Sequence, residues 1–490
     1  MYRATLRRRF LGLDLSSEPY AFKLYLKRLR EFRTATVYKR LADYKSEPLT
    51  MSKRIRPFLV FLAAFGLAAT VFSTNPSSGA SAPQRATVAS SSARNAAIVA
   101  TTAAVLKETS KIRELPILRP VKSGAQSRIE IERMLVKNLD EQMTPSEMHA
   151  TEVALRKFGL APPDFEYRSF IIKLLTEQVA GYYDSKTREF HLADWLDLEG
   201  QKPVMVHELT HALQDQHFRL RRFEKWPHGD SDAELAAHAL IEGDATLAMT
   251  IYMAQNPMVA LAFSRSLGSA AISSIQFNQA PRALRESLIF PYGQGMEWAT
   301  QLYKRGGWSM VSKAFTQLPL STEQILHSEK YFSYERPVKF EIADLRNLLG
   351  PGWRDIDTDV NGEWGYYLIL DQFLNSPSES RRAAAGWAGD RYRIYEEPRR
   401  KQVLVAHVSA WDTENDAREF FDAYVKRTAK RYPEGTLLPD TQSPGLNTAL
   451  SWTTGEGRVV VELKGLRVLA IEGIPEGVDA YTLVKVLWGS

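Results

Sequence analysis

Two histidines and a glutamate stand in the order His207-Glu208-Leu-Thr-His211, inside a run from Val204 to Leu213 that is otherwise uncharged and free of proline. Such a run predicts a buried helix. Side chains four apart on a helix share a face, so both imidazoles can reach one metal ion while Glu208 stands beside the ion's open position. That arrangement suits hydrolysis. Zinc with three protein ligands keeps a fourth position for water and lowers its pKa to about 7, after which a neighbouring carboxylate can take the proton. Glu208 is the general base in this scheme. A buried helix carrying the same three polar groups without a metal would bear their desolvation unaided.

The sequence offers two third ligands, His217 and Glu242. If the helix continues, His217 lies about 240° round from His211 and points away from the metal. Bringing it back needs a left-handed residue near Gln214, at about 1–2 kcal/mol for a non-glycine. Glu242 needs no such strain. It lies on a helix expected over 233–255, capped by Ser231 or Asp232, whose Ala236, Ala237, Ala239, Gly243 and Ala245 allow a second helix to approach closely. Gly243 costs about 1 kcal/mol in a helix interior relative to alanine, so a neighbour beside Glu242 needs the space. The expected ligands are therefore His207, His211 and Glu242, and zinc is the expected cofactor.

The elements that must hold these residues are legible upstream. Helices start at two capping boxes, Ser127 with Glu130 and Thr144 with Glu147, the second with Pro145 at its first position and Gly159 past its end. Phe165 to Ala180 has helical spacing. Gly181 to Leu192 then alternates every two residues around Asp-Ser-Lys-Thr and predicts a hairpin just before the site helix. Its edge either holds a peptide by main-chain pairing or only covers the helix.

The motif His207-Glu-Leu-Thr-His211 followed by Glu242-Gly-Asp-Ala245 resembles the gluzincin class of zinc peptidases, and more narrowly bacterial exported or membrane-anchored proteins with a HELTHALQDQHF segment. The similarity runs from about Arg113 to Phe332 and includes Gly181-Tyr-Tyr-Asp184, Phe290-Pro-Tyr292 and Ser321-Thr-Glu-Gln-Ile-Leu-His327. The resemblance implies two His and one Glu as ligands, with the motif glutamate as base. Thermolysin-like members place Asp four residues after the ligand Glu, where this chain has Thr246, so Asp244 or Asp215 is the candidate to support a ligand histidine. Tyr292, His327 and Tyr331 are the candidates to donate to the oxyanion of the tetrahedral intermediate.

The N-terminal end bears on location. Residues 1–50 carry 12 Lys/Arg against 5 Asp/Glu and form a basic extension, and Lys53, Arg54 and Arg56 follow. Phe58 to Phe72 is then fifteen uncharged residues, followed by Ser73 to Pro83 with Ala80-Ser-Ala82. Read from Met51, the preferred start, residues 51–82 form a secretory signal; otherwise they form a signal anchor through 58–72, short against the roughly 20 residues of a comfortable span. Either way the body is expected outside the cytoplasm. From residue 83 onward the net charge is −4 out of a whole-chain +6, so the basicity gives no reason to expect nucleic acid as a partner. With no cysteine, disulfides, Cys-ligated zinc and thiol catalysis are excluded, and no Gly-x-Ser-x-Gly is present.

The expected organisation is a linker over 83–110, a metallopeptidase domain over 111–332, a helical aromatic-rich connection over 333–390 and an α+β domain over 391–490. In the last, strands are expected at 391–396, 403–410, 449–452, 459–463 and 466–472, with helices at 414–431 and near 478–487. The fold class is α+β, mainly helical and zincin-like around the site, with a C-terminal antiparallel domain whose partner the sequence leaves unnamed. The function expected is peptide-bond hydrolysis by zinc-bound water activated by Glu208 on a peptide or protein substrate. The rival is a non-catalytic, zinc-stabilised envelope binding or chaperone-like protein.

Overall fold

A computed structural model describes residues 88–489 apart from 196, 224–225, 227–228, 271–274 and 439–447. The basic extension and the signal or anchor segment lie outside the described residues. Among those described, no helix is long and apolar enough to cross a membrane.

Helix formation begins inside the segment expected to be a linker. Helix α1 (Val88–Arg113) buries Ile98, Thr102, Val105, Leu106, Thr109 and Arg113 at spacings of one helical turn. The hydroxyls of Thr102 and Thr109 donate to the carbonyls of Ile98 and Val105 at 2.8 Å, which satisfies them within the helix. The linker reading of 83–110 is therefore overturned from residue 88 on. A stripe that is part threonine does not register as apolar periodicity.

Strand β1 (Lys122–Gln126) leads to α2 (Arg128–Gln142) and α3 (Pro145–Lys157), which start at the two expected capping boxes. In each box the carboxylate returns to the cap N–H, at 2.7 Å for Glu130 and 2.6 Å for Glu147. Gly159, at φ +75°, ends α3. After α4 (Tyr167–Gln178) come β2 (Gly181–Asp184) and β3 (Glu189–Ala193), the expected hairpin. With β1 parallel to β3, they form a sheet in the order β1-β3-β2.

Helix α5 (Lys202–Phe218) carries the motif and runs through His217 without a break. Helix α6 (Ser231–Gln255) is capped by Asp230, whose side chain accepts from the Ala233 N–H at 3.3 Å. The cap is one residue earlier than expected because Asp232 turns inward to accept from the Thr322 N–H at 3.1 Å. Then follow α7 (Pro257–Ala270), α8 (Ile275–Gln279), α9 (Arg282–Ala314), α10 (Thr322–Leu326) and α11 (Ser328–Ser333). Helix α9 breaks at Gly306-Gly307, where both residues leave helical backbone angles. Helices α6 and α9 touch backbone to backbone: a Cβ on Gly243 would sit 2.2 Å from the carbonyl carbon of Gly295, and one on Gly295 would sit 2.2 Å from the Ala239 oxygen.

The C-terminal part adds α12 (Arg346–Leu349), β4 (Arg354–Asp359), α13 (Gly362–Leu374), α14 (Pro377–Ala384), β5 (Trp387–Glu397) and β6 (Gln402–Trp411). It ends with α15 (Glu414–Arg431), β7 (Thr436–Leu437), β8 (Thr448–Thr454), β9 (Gly457–Lys464), β10 (Arg467–Ile474) and α16 (Ala480–Trp488). The seven strands form an antiparallel sheet in the order β4-β5-β6-β10-β9-β8-β7. Alternate residues face opposite layers. Val405, Val468 and Ala470 join the core shared with α13 and α15, while Leu404, Ala406, Leu469 and Ile471 meet α12 and α16.

Two boundaries shift. Strand β5 starts at Trp387 instead of Arg391, and β4 lies inside the stretch expected to be a helical connection. The run Arg-Asp-Ile-Asp-Thr-Asp escapes notice because it is an outer strand with acidic residues at every second position. One hydrophobic core continues from α6 and α9 through α13 to the sheet, so residues 333–390 join the two halves in one packed body. The fold class is α+β, helical around the motif with an antiparallel sheet at the C-terminal end.

Candidate metal centre

Helix α5 presents His207 and His211 one turn apart, and α6 crosses it to bring Glu242 against both. The His207 and His211 Nε2 atoms are 3.1 Å apart, and Glu242 Oε2 is 3.0 Å from the first and 3.4 Å from the second. All three residues are buried, and their ligand atoms lie within metal-binding distance of one another. The close contact of Gly243 with Gly295 is what lets α6 present Glu242 while α9 packs behind it. A second acidic group, Glu323, Glu335 and Asp412, already has a cation: Lys330 Nζ stands 2.7, 2.9 and 2.5 Å from its three carboxylates.

Glu208 lies beside the cluster without belonging to it. Burial pushes its carboxyl up, against the pull of His207 and His211, and its Oε2 accepts from the Tyr183 N–H of β2 at 3.0 Å. Strand β2 is the outer strand on that side of the sheet, and Gly181, Tyr182 and Tyr183 are buried, so the hairpin covers the helix. Burial works against charge on His211, yet the Glu242 carboxylate holds it up to about 9. Burial likewise resists charge on Glu242, and the two histidines nevertheless hold it down to about 2.

Behind the ligands runs a buried chain of contacts. His211 Nδ1 meets Gln214 Oε1 at 2.9 Å. The Gln214 amide nitrogen donates to the Ile241 carbonyl at 3.0 Å and to Asp244 Oδ2 at 2.9 Å. Asp244 Oδ1 receives the Nε–H of Arg113, the last residue of α1, at 2.5 Å. Arg113 also reaches Ser312 and lies over the Trp308 ring, 4.5 Å from its centre. Asp244 therefore supports His211 only through Gln214. Asp215 does not face the cluster at all: it holds Arg119 at 2.8 Å and the Tyr183 hydroxyl at 3.0 Å.

Of the three expected oxyanion donors the structure brings one to the centre. The Tyr292 ring stacks on His207, with centroids 5.9 Å apart, and its hydroxyl bonds Glu242. His327 pairs with Glu363 at 2.9 Å, and Tyr331 donates to the Gln317 carbonyl at 2.9 Å with its ring against Trp298. Both are fixed by partners elsewhere. His217 donates its Nε2–H to the Pro116 carbonyl, 2.7 Å away, and stays outside the cluster.

Sequence reasoning misses three residues here. Gln214 and Arg113 carry no motif signal, although Gln214 is one turn beyond His211 on the same face. His238, one turn before Glu242 on α6, is buried enough to be held down to about 4, and its Nε2 has no partner among the described residues. Its position at i−4 from Glu242 is the signal that was available.

Comparison with known proteins covers only the far end of the chain. Residues 347–483, from α12 to α16, match a family described as a domain of unknown function, DUF8575. No curated protein and no solved structure matches the chain.

Proposed function

We propose that this chain is a zinc-dependent peptidase of the gluzincin kind with a zincin-like fold around α5, acting outside the cytoplasm. The reading is carried by one observation: two imidazole nitrogens and a carboxylate oxygen converge at edges of 3.0, 3.1 and 3.4 Å while a fourth group, Glu208, stands next to them with its carboxylate held by the Tyr183 N–H. Ligand atoms around a tetrahedral zinc with bonds of about 2.0–2.1 Å are about 3.3 Å apart, so the three groups fit that ion. A purely structural zinc would be closed by a fourth protein ligand. Expectation of a peptide substrate and of export comes from the motif and from the apolar stretch at 58–72.

When bound, the ion supplies positive charge that acidifies water and polarises a carbonyl. Glu208 accepts the proton of the attacking water and passes it to the leaving amine. The Tyr183 N–H fixes the carboxylate, and the Tyr292 hydroxyl is the donor placed to stabilise negative charge developing on the substrate oxygen.

The test is Glu208→Gln in the full chain. Zinc content should stay at the parent value while hydrolysis of a casein-type substrate falls by about 10²–10⁴, the range for losing a general base. A variant that digests at the parent rate refutes the peptidase reading.

A further inference from the structure

We infer that the end of the molecule built from the first turns of α1, the start of α2 and helix α7 docks on the surface of a lipid bilayer, through exposed Val99, Ile129, Trp195, Met258 and Leu261. The inference is separate from the peptidase reading and rests on 58–72 as the stretch that enters the membrane. From Phe58 to Leu106 the sequence carries only two charges, Arg85 and Arg94, both positive. The last part of that run is α1, whose Ala93, Ala96, Ala97, Val99 and Ala100 are exposed. Fifteen residues separate Phe72 from Val88, a span of at most about 55 Å when fully extended. The start of α1 is thus tethered close to the point of entry.

Contacts gather the five side chains round that start. The C-terminal ends of α1 and α5 are tied where His217 meets the Pro116 carbonyl at 2.7 Å. The two helices run back together from there, so Ile98 and the start of α5 both lie about 22 Å away along their axes. Ile98 shares an apolar cluster with Met205 of α5 and Val259 of α7, and Phe263 of α7 packs on Val204. Helix α7 therefore lies against the start of α5 with Met258 and Leu261 exposed, Met258 to 75 %. One turn before Ile98, the Asn95 side-chain oxygen accepts from the Ala125 N–H at 2.9 Å, and the Asp194 N–H donates to the Gln126 carbonyl at 3.0 Å. Those two bonds bring the end of β1 to the same place, with Trp195 and the 61 % exposed Ile129 just beyond it.

Single exposed apolar side chains are ordinary, but a group of them where an almost uncharged run enters the fold marks a contact surface. Charges of both signs flank the group, Lys122, Arg128 and Arg265 against Asp194, Asp197 and Glu199, so it suits the interfacial zone of a bilayer more than headgroup charge. Trp195, with the Arg128 guanidinium 4.5 Å from the centre of its ring, is the type of side chain that settles at that depth. Helix α7 contains no acidic residue.

The chain has no cysteine, so a single cysteine introduced into the full chain takes a nitroxide label at one place. Labels at Trp195→Cys, Met258→Cys and Leu261→Cys are compared with Leu437→Cys and Leu466→Cys, exposed apolar positions of the C-terminal part. In phosphatidylcholine vesicles, collision with oxygen relative to a nickel chelate should be severalfold higher at the first three, with or without added phosphatidylglycerol. Adding Ile129→Glu and Leu261→Glu should bring the Trp195→Cys label to the ratio of the controls while the chain still floats with the vesicles through 58–72. Equal ratios at the two sets of positions overturn the inference, as do a chain that stays off the vesicles and docking seen only with the anionic lipid. Dipolar broadening between labels on neighbouring copies, in place of oxygen contact, makes this face a self-association surface and overturns it as well. None of these readings depends on zinc or hydrolysis, so failure here leaves the peptidase reading standing.

Discussion

Gly243→Ala tests whether the packing of two helices holds the site in shape. The added methyl would stand 2.2 Å from the Gly295 carbonyl carbon and 2.3 Å from its oxygen. Ordinary contact there is about 3.5 Å or more, so the helices would have to part by about an ångström along a crossing lined with buried Ala239, Leu240, Trp298 and Ala299. Alanine gains about 0.8–1.0 kcal/mol over glycine in a helix interior. Overpacking typically costs 1–3 kcal/mol, and more where the obstacle is backbone that cannot rotate away. The net expectation is a loss of about 2 kcal/mol, where an unobstructed position would gain. The movement also draws Tyr292, one turn before Gly295, away from Glu242. Urea unfolding and zinc titration of the variant read both effects, with Gly455→Ala, whose surroundings are open, as the control. Unchanged or higher stability with parent zinc affinity would refute the reasoning.

Three further outcomes are expected. Glu242→Ala should lose zinc and activity together while His217→Ala keeps both, checked by metal analysis of the two purified variants; the reverse would make His217 the third ligand. Burial, and then the neighbouring Asp359, hold Asp357 up to about 7, and burial holds Asp390 up to about 6. The folded chain therefore keeps protons that an unfolded one releases near 4, so this part of the stability is present below pH 4 and lost as pH rises to about 7. The drop in urea midpoint from pH 5 to pH 8 should be smaller in Asp357→Asn than in the parent. Glu472, fully buried between Arg427 at 2.5 Å and Arg431 at 2.6 Å, leaves Arg427 without its carboxylate when changed to Gln, while Arg431 keeps Glu456 at 3.3 Å. A loss of about 3 kcal/mol in unfolding free energy is expected, and a loss under 1 kcal/mol would show that a neutral amide serves the buried Arg427 as well as the carboxylate.

The ligand cluster was legible because its constraints are local: a four-residue spacing on α5, and a glycine beside Glu242 that costs stability unless a neighbour needs the room. Capping boxes, the hairpin and most C-terminal strands were legible for the same reason, each being a short pattern with its own physical meaning. Residues whose role depends on a distant partner were not. Gln214 looks like any helix glutamine until Asp244 is set opposite it, and Arg113 sits 131 positions from the carboxylate it neutralises. Helix α1 was lost because threonine hides its buried face, and β4 because an edge strand need not alternate apolar residues. His327 and Tyr331 carry only the signal of the resemblance, and each is held by a partner of its own, Glu363 and the Gln317 carbonyl.

A sheet seven strands wide offers another chain only two places to join it, since both of its faces are covered. One is β4, whose ladder with β5 is broken by a register shift between Asp355 and Asp357, the kind of bulge that turns an edge away from further pairing. The other is β7, two residues long and exposed. Neither border invites a continuing ladder. The C-terminal layer should therefore stay single at high local concentration and resist templated aggregation.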